Sequence, residues 1–287
     1  MNINIDNAAG FCFGVLQTIE KATNSINSNQ NKNIYVLGEI IHNPAEIKRL
    51  NNIGLHTISV NDLAKLNTNS IIVIIRAHGE PPMIYKLLEE LNIKYIDATC
   101  PLVKQLQTKI IDYHTSNYQI IIFGKVDHPE VIGLCGVCNG ECLVGLELED
   151  FEGKIDYSKK SVLFSQTTMS ADKFISIYND LLLNFTDNNL LKIENTICKF
   201  MISREEKLKI FAANNDLIIF VAGKNSSNGR VLYSKCRAVN NNTIFIENMD
   251  ELDLSVILEY TNVGITGATS TPMWYLKEVR EYIKRNI

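Results

Sequence analysis

The chain of 287 residues lacks any apolar run of membrane length: stretches such as "IIVII" and "LIIFVA" fall far below the ~20 residues of a helical span. It also lacks a Lys/Arg-rich block, and its formal net charge is -4. That balance leaves no electrostatic footprint for nucleic acid, so a small ligand is the better expectation than DNA or RNA. The start, "MNINIDNAAG", has neither a basic opening nor a long apolar core, and the reading is of a cytoplasmic protein with no membrane association. No Pro/Ser-rich linker or low-complexity tract interrupts the chain. Its 7 cysteines are an odd number in a long chain read as unexported, which fits free thiols or metal ligands better than a disulfide framework.

What the chain has is alternation. Short Ile/Val-rich runs, "NIYVL", "IIVII", "KYI", "QIIIF", "VLFS", "LIIFVA", "TIFI" and "NVGI", are separated by longer stretches of helical period. This pattern predicts βα units and mainly parallel sheets. Within it an arrangement recurs at roughly 90 residues. Cys12 in "NINIDNAAGFCFGV", Cys100 in "KYIDATCPLV" and Cys198 in "LKIENTICKF" each follow a short apolar strand carrying an acidic residue, and each precedes a helix. The next strand of each period ends in a polar cluster, at His42, His128 and Ser226, and a later strand in another, at His78, Thr167 and Ser270. The expected fold is therefore α/β, with three pseudo-threefold-related modules in a trefoil-like arrangement: residues 13–98, 99–196 and 197–287, the last with the N-terminal strand 1–12. Ligands bind at strand C-terminal ends, where helix N-termini gather unpaired N–H groups, and three such modules would point nine elements at one cavity.

A single cysteine or histidine at a strand end reads as packing; three at matched positions read as ligands. Three convergent thiolates admit structural zinc with a fourth ligand, although such sites usually close through local Cys pairs. They also admit a [4Fe–4S] cluster with one open iron, able to act as a Lewis acid and to deliver single electrons. Surrounding His, Ser, Thr and Asn side chains with several helix N-termini suit a multiply charged anion such as diphosphate. Glu130, two residues past His128, is read as the one carboxylate within these clusters, and its pKa should rise in a desolvated site, which suits a proton donor.

In order and over nearly the whole chain, "GFCFGV", "GEIIHNP", "RAHGEP", "DATCPLV", "DHPEV", "SQTT" and "GKNSSN" resemble the 4-hydroxy-3-methylbut-2-enyl diphosphate reductase family of the non-mevalonate isoprenoid pathway. The resemblance implies a central [4Fe–4S] cluster held by Cys12, Cys100 and Cys198. It implies a diphosphate gripped by His42, His78, His128, Ser226, Ser227, Asn228 and Ser270, with Thr167 and Glu130 at the substrate hydroxyl. It further implies reductive dehydroxylation with two electrons from ferredoxin or flavodoxin, giving isopentenyl and dimethylallyl diphosphate. The alternatives are an iron–sulfur hydro-lyase and a zinc-containing phosphometabolite-binding protein.

Two features depart from that pattern. After the third cysteine this chain reads "CKFMISREE", with Met201 and Glu205 where the family carries Thr and Gln, so local packing there is expected to differ. "LCGVCNGEC" sets Cys135, Cys138 and Cys142 at C-x2-C-x3-C spacing. Cys135 and Cys138 are expected on the helix after "HPE" and Cys142 at the start of a strand, which favours buried thiols over a metal site. Cys236 reads as packing.

Overall fold

Three strands of the structure, a computed structural model describing residues 1–287, carry the almost uninterrupted apolar runs "IIVII", "QIIIF" and "LIIFV" because both of their faces are covered. In chain order the first elements are β1 (Asn2–Ile5), α1 (Phe13–Ser28), β2 (Asn33–Leu37), α2 (Pro44–Asn52), β3 (Leu55–Ile58), β4 (Ile71–Ile75), α3 (Pro82–Glu90) and β5 (Lys94–Asp97). Next come α4 (Pro101–Thr115), β6 (Gln119–Phe123), α5 (Pro129–Gly136), β7 (Cys142–Gly145), β8 (Ser161–Ser165), α6 (Ala171–Leu182) and β9 (Leu191–Ile193). The last are α7 (Lys199–Ala213), β10 (Leu217–Val221), α8 (Ser227–Val239), β11 (Thr243–Ile246), α9 (Leu254–Ile257), β12 (Asn262–Gly267) and α10 (Met273–Asn286).

The strands form three four-stranded sheets, ordered β1-β12-β10-β11, β3-β2-β4-β5 and β7-β6-β8-β9. Strand pairing is parallel in each, as the βα alternation predicts. The strands named from sequence are present; β3, with only its two end residues buried, is an addition. No helix is long and apolar enough to cross a membrane.

The chain divides into two compact units, Met1–Asn27 with Glu39–Thr57 and Lys199–Ile287, and Ser28–Gly38 with Ile58–Cys198. In the first, Tyr275, Leu276, Val279 and Ile283 of α10 lie on Leu217, Ile219 and Val221 of β10, while Phe220 on the opposite face stacks edge-on against Tyr233 of α8. In the second, the pleat sorts the β6-β8 sheet cleanly. Ile121, Phe123 and Leu163 meet Phe174, Ile177 and Leu181 of α6; Ile120, Ile122, Val162 and Phe164 meet Leu106 and Ile110 of α4 and Val131 and Leu134 of α5. Ile84 and Leu88 of α3 cover Leu37, Val73 and Ile75 in the same way. Truncating a fully buried ring such as Phe174 to Ala would cost about 3–5 kcal/mol.

Helix starts follow from local chemistry. Pro44, Pro101 and Pro129 sit in the first turns of α2, α4 and α5, where a missing N–H costs nothing. The side chains of Asn43, Ser170 and Ser226 cap α2, α6 and α8.

Candidate functional site

Each matched cysteine reaches its helix through the same local device. The Asp6 carboxylate accepts the Ala8 N–H (2.9 Å), Asp97 accepts the Thr99 N–H (2.9 Å), and the Asn195 side chain accepts the Ile197 N–H (3.2 Å). These Asx turns lead the chain off the ends of β1, β5 and β9. The cysteine N–H groups then donate to carbonyls in the exits of neighbouring strands: Cys12 to Thr269 (3.2 Å), Cys100 to Ala77 (2.9 Å) and Cys198 to Thr167 (2.9 Å). Each acceptor is a sequence-predicted site residue or the residue just before one. All three thiols are half-buried.

In the second unit the structure brings six predicted residues together. Burial pushes the Cys100 thiol up and negative charge on Cys198 and Glu130 pushes the same way, while the N–H groups of Leu102 and Val103, at the start of α4, pull it down. Thr167, just past β8, donates its N–H to Glu130 Oε1 (2.7 Å) and its hydroxyl to Oε2 (2.8 Å). Glu130 is buried, and this desolvation pushes its carboxyl up to about 7 against the pull of both Thr167 bonds. His128 caps α5: the Glu130 N–H donates to His128 Nδ1 (3.2 Å), which places the proton of the neutral imidazole on Nε2. The His78 ring stands edge-on to His128 at 5.2 Å between centroids.

Glu130 is not the one carboxylate of these clusters, because Glu39 and Glu80 lie in the same motifs, and residue type alone does not separate the three. The structure does. Glu39 is exposed and lies 3.2 Å from His42 Nδ1; Glu80 is tied to Arg76 at 3.2 Å. Only Glu130 is buried without a cationic partner, so only it combines a proton held near neutrality with a hydroxyl relay.

In the first unit a second group assembles. Ser226 at the N-cap of α8 accepts the Gly229 N–H (3.1 Å) and lies 3.3 Å from the Ser270 hydroxyl. Ser227 is buried in the first turn of α8. Asn228 accepts the Thr269 N–H through its side-chain oxygen (2.9 Å), joining α8 to the segment that holds Cys12. Gly223 must lack a side chain, because a Cβ there would lie 2.2 Å from the His42 carbonyl oxygen. That close approach brings the exit of β10 against the His42 turn.

The departures from the family pattern are accommodated. Met201 is buried with its sulfur 4.0 Å from the Thr269 hydroxyl, the residue whose carbonyl holds Cys12. Glu205 pairs with Lys209 (2.7 Å) and Lys235 (3.2 Å). Sequence reading missed Arg204, whose buried guanidinium bonds Asp6 (2.7 Å) and Thr266 (2.7 Å) and so ties α7 to the ends of β1 and β12. The only signal was a charged residue on the core side of a helix. Cys138 lies beyond the end of α5 rather than on it, because that helix stops at Gly136; Cys236 is buried as expected.

A family model described as LytB protein matches residues 3–284. The 4-hydroxy-3-methylbut-2-enyl diphosphate reductase of Chloroherpeton thalassium is 41% identical, covering 99% of this chain and 96% of its own length. That of Bacteroides fragilis is 40% identical over 100% and 99%. Among solved structures, an (E)-4-hydroxy-3-methyl-but-2-enyl diphosphate reductase, the terminal enzyme of the non-mevalonate pathway, aligns with a TM-score of 0.74 at 35% identity, covering 99% of this chain and 100% of that one. The E-1-hydroxy-2-methyl-but-2-enyl-4-diphosphate reductase from Plasmodium falciparum aligns with a TM-score of 0.86 at 27% identity, over 99% and 87%. With the ordered motifs and a family model spanning nearly its whole length, the chain belongs to the LytB family.

Proposed function

We propose that the chain catalyses the reaction its relatives are named for, the reduction of (E)-4-hydroxy-3-methylbut-2-enyl diphosphate. The substrate takes up two electrons and two protons, loses its allylic hydroxyl as water, and leaves as isopentenyl or dimethylallyl diphosphate. The observation that carries this reading is the Glu130–Thr167 pair: a buried carboxyl pushed up to about 7 and bonded to a hydroxyl, beside two of the three matched thiols. The proposed modules, residues 13–98, 99–196 and 197–287 with the strand 1–12, each carry one of the sheets.

Cys12, Cys100 and Cys198 are the proposed ligands of a [4Fe–4S] cluster. The donor set suits that group, because each thiol is half-buried and the Cys100 thiolate, disfavoured by its burial, would be stabilised by a cationic partner and by N–H groups aimed at sulfur. When bound, the cluster supplies single electrons, received from ferredoxin or flavodoxin, and an open iron that polarises the allylic hydroxyl. The protein's own part is binding and proton supply. The His128 Nε2–H, His78, His42, Ser226, Ser227, Asn228 and Ser270 are the proposed donors to the diphosphate, strengthened by its charge. Glu130 holds the proton for the departing oxygen, and Thr167 keeps the carboxyl aimed by donating to both its oxygens' sites. A carboxyl near neutrality is poised for this transfer in a way that an exposed one is not.

The test is anaerobic turnover of the allylic diphosphate with a reduced one-electron donor, with the products separated. The expected result is consumption of donor and formation of both isomers. Conversion without donor would make the protein a hydro-lyase, and a colourless zinc-containing preparation that binds but does not convert substrate would make it a binding protein.

A further inference from the structure

Outside the catalytic residues, one cluster of nucleophilic side chains is left without a role: Cys135, Cys138 and Cys142. The turn between α5 and β7 builds it. Asn139 (φ 55°) and Gly140 (φ 80°) take left-handed conformations, and the Cys135 carbonyl accepts N–H groups from Cys138 (3.2 Å) and Gly140 (2.9 Å). The chain therefore doubles back and sets Cys142, the first residue of β7, beside Cys135, the penultimate residue of α5. Their sulfurs are 2.7 Å apart.

That separation discriminates between fates. It is nearer the about 2.05 Å of a disulfide than the about 3.8 Å between two thiolates on a tetrahedral zinc with Zn–S near 2.3 Å. Cys138 also touches the Cys142 thiol, but it is the poorer partner: it is buried, and its own thiol lies on the carbonyls of Cys135 (3.3 Å) and Leu134 (3.6 Å). His114, whose charge acts on Cys138, has its Nε2 on Glu141 at 3.0 Å. Cys135 and Cys142 are both partly exposed, whereas Cys138 is buried.

We propose that Cys135 and Cys142 form a reversible disulfide, with a small-molecule disulfide such as oxidised glutathione as the oxidant. The Cys135 thiolate attacks that disulfide and expels one thiol. The Cys142 thiolate then displaces the second, closing the protein S–S bond. The two cysteines lose two electrons and two protons, and the small disulfide becomes two thiols. The contact from Cys142 favours the thiolate on Cys135 and holds that thiol below its ordinary range, which suits it as the attacking group. The bond fastens the C-terminal end of α5 to β7. This helix carries His128 and Glu130 at its other end, and at Gly136 it packs against Pro81, three residues past His78.

The experiment exposes anaerobically purified holoprotein to a graded ratio of oxidised to reduced glutathione, quenches in acid, alkylates, and weighs the fragment cut after Lys125 and after Lys154, which contains all three thiols. The expected product is a fragment lighter by two hydrogens with one alkylatable thiol, formed also in Cys138→Ser, absent in Cys135→Ser and Cys142→Ser, and reversed by a reducing thiol. Three alkylatable thiols at every ratio in the native chain, a bond mapped to Cys138, or zinc retained by the native trio in equal amount to protein would each overturn the proposal.

Discussion

The second unit holds two groups of thiols that differ in how they are assembled. Cys100 and Cys198 are far apart in sequence and meet because parallel sheets deliver their turns to the exits of β4 and β8, where the Ala77 and Thr167 carbonyls receive their N–H groups. Cys135, Cys138 and Cys142 are neighbours in sequence and meet because one turn reverses the chain. A search for closely spaced cysteines finds the second group and passes over the first. The surroundings reverse that ranking: the dispersed pair lies beside a buried carboxyl and its hydroxyl partner, while the local trio lies beside helix carbonyls and an exposed His–Glu contact. Spacing along the chain tells which thiols can meet cheaply; the exits of parallel strands tell which meet where a ligand can bind.

The largest effect that could break this comparison comes from exchanging its members. Cys100→Ser is expected to lose most cluster iron and nearly all turnover, whereas Cys138→Ser keeps both, as measured by iron content and anaerobic assay on the two proteins side by side. Equal loss in the two variants would erase the distinction.

Next in size is Glu130→Gln, which keeps the shape of the side chain and removes its proton. Turnover should fall by about 100-fold or more with iron content unchanged. The same variant has a stability signature. The folded protein holds this carboxyl up at about 7 against an ordinary 4.5, so it contributes stability that is complete below the ordinary value and is lost as pH rises through about 7. Denaturant midpoints should therefore decline more steeply over that interval in the native chain than in Glu130→Gln.

His128→Ala sharpens the account of the anion site. Substrate binding is expected to weaken by about 1–3 kcal/mol, the scale of a charge-assisted hydrogen bond, read as a raised KM with cluster content retained. Inorganic diphosphate should compete in the native enzyme and compete less well in the variant. The smallest effect concerns the local turn: Gly140→Ala places a side chain at φ 80° in open space, and should cost about 1 kcal/mol of stability with turnover unchanged.

Much of this architecture is legible in the residues themselves. β4, β6 and β10 announce themselves as "IIVII", "QIIIF" and "LIIFV" because buried parallel strands need no polar face. β3 escaped because "LHTI" has a half-exposed pattern indistinguishable from a loop. The matched places of Cys12, Cys100 and Cys198 are readable because each follows a short apolar strand carrying an acidic residue and precedes a helix; that the turn at the third is made by Asn195 rather than by the acidic Glu194 is not. The choice of Glu130 over Glu39 and Glu80 was not, since it depends on Arg76 and on solvent reaching one carboxylate and not another. Nor was the bond between Arg204 and Asp6, which joins residues far apart in sequence and has no local mark. The end of α5 at Gly136 was misjudged by two residues at Cys138, because the stop is made by the left-handed pair at Asn139 and Gly140 further on.

The most direct test of the central claim, that Glu130 supplies the proton for loss of the hydroxyl, is the pH dependence of anaerobic turnover in the native enzyme and in Glu130→Gln. With the carboxyl titrating at about 7, the native rate should hold on the acid side and fall as pH rises through that value, while the variant stays low and flat. Parallel profiles of similar height in the two proteins would contradict it.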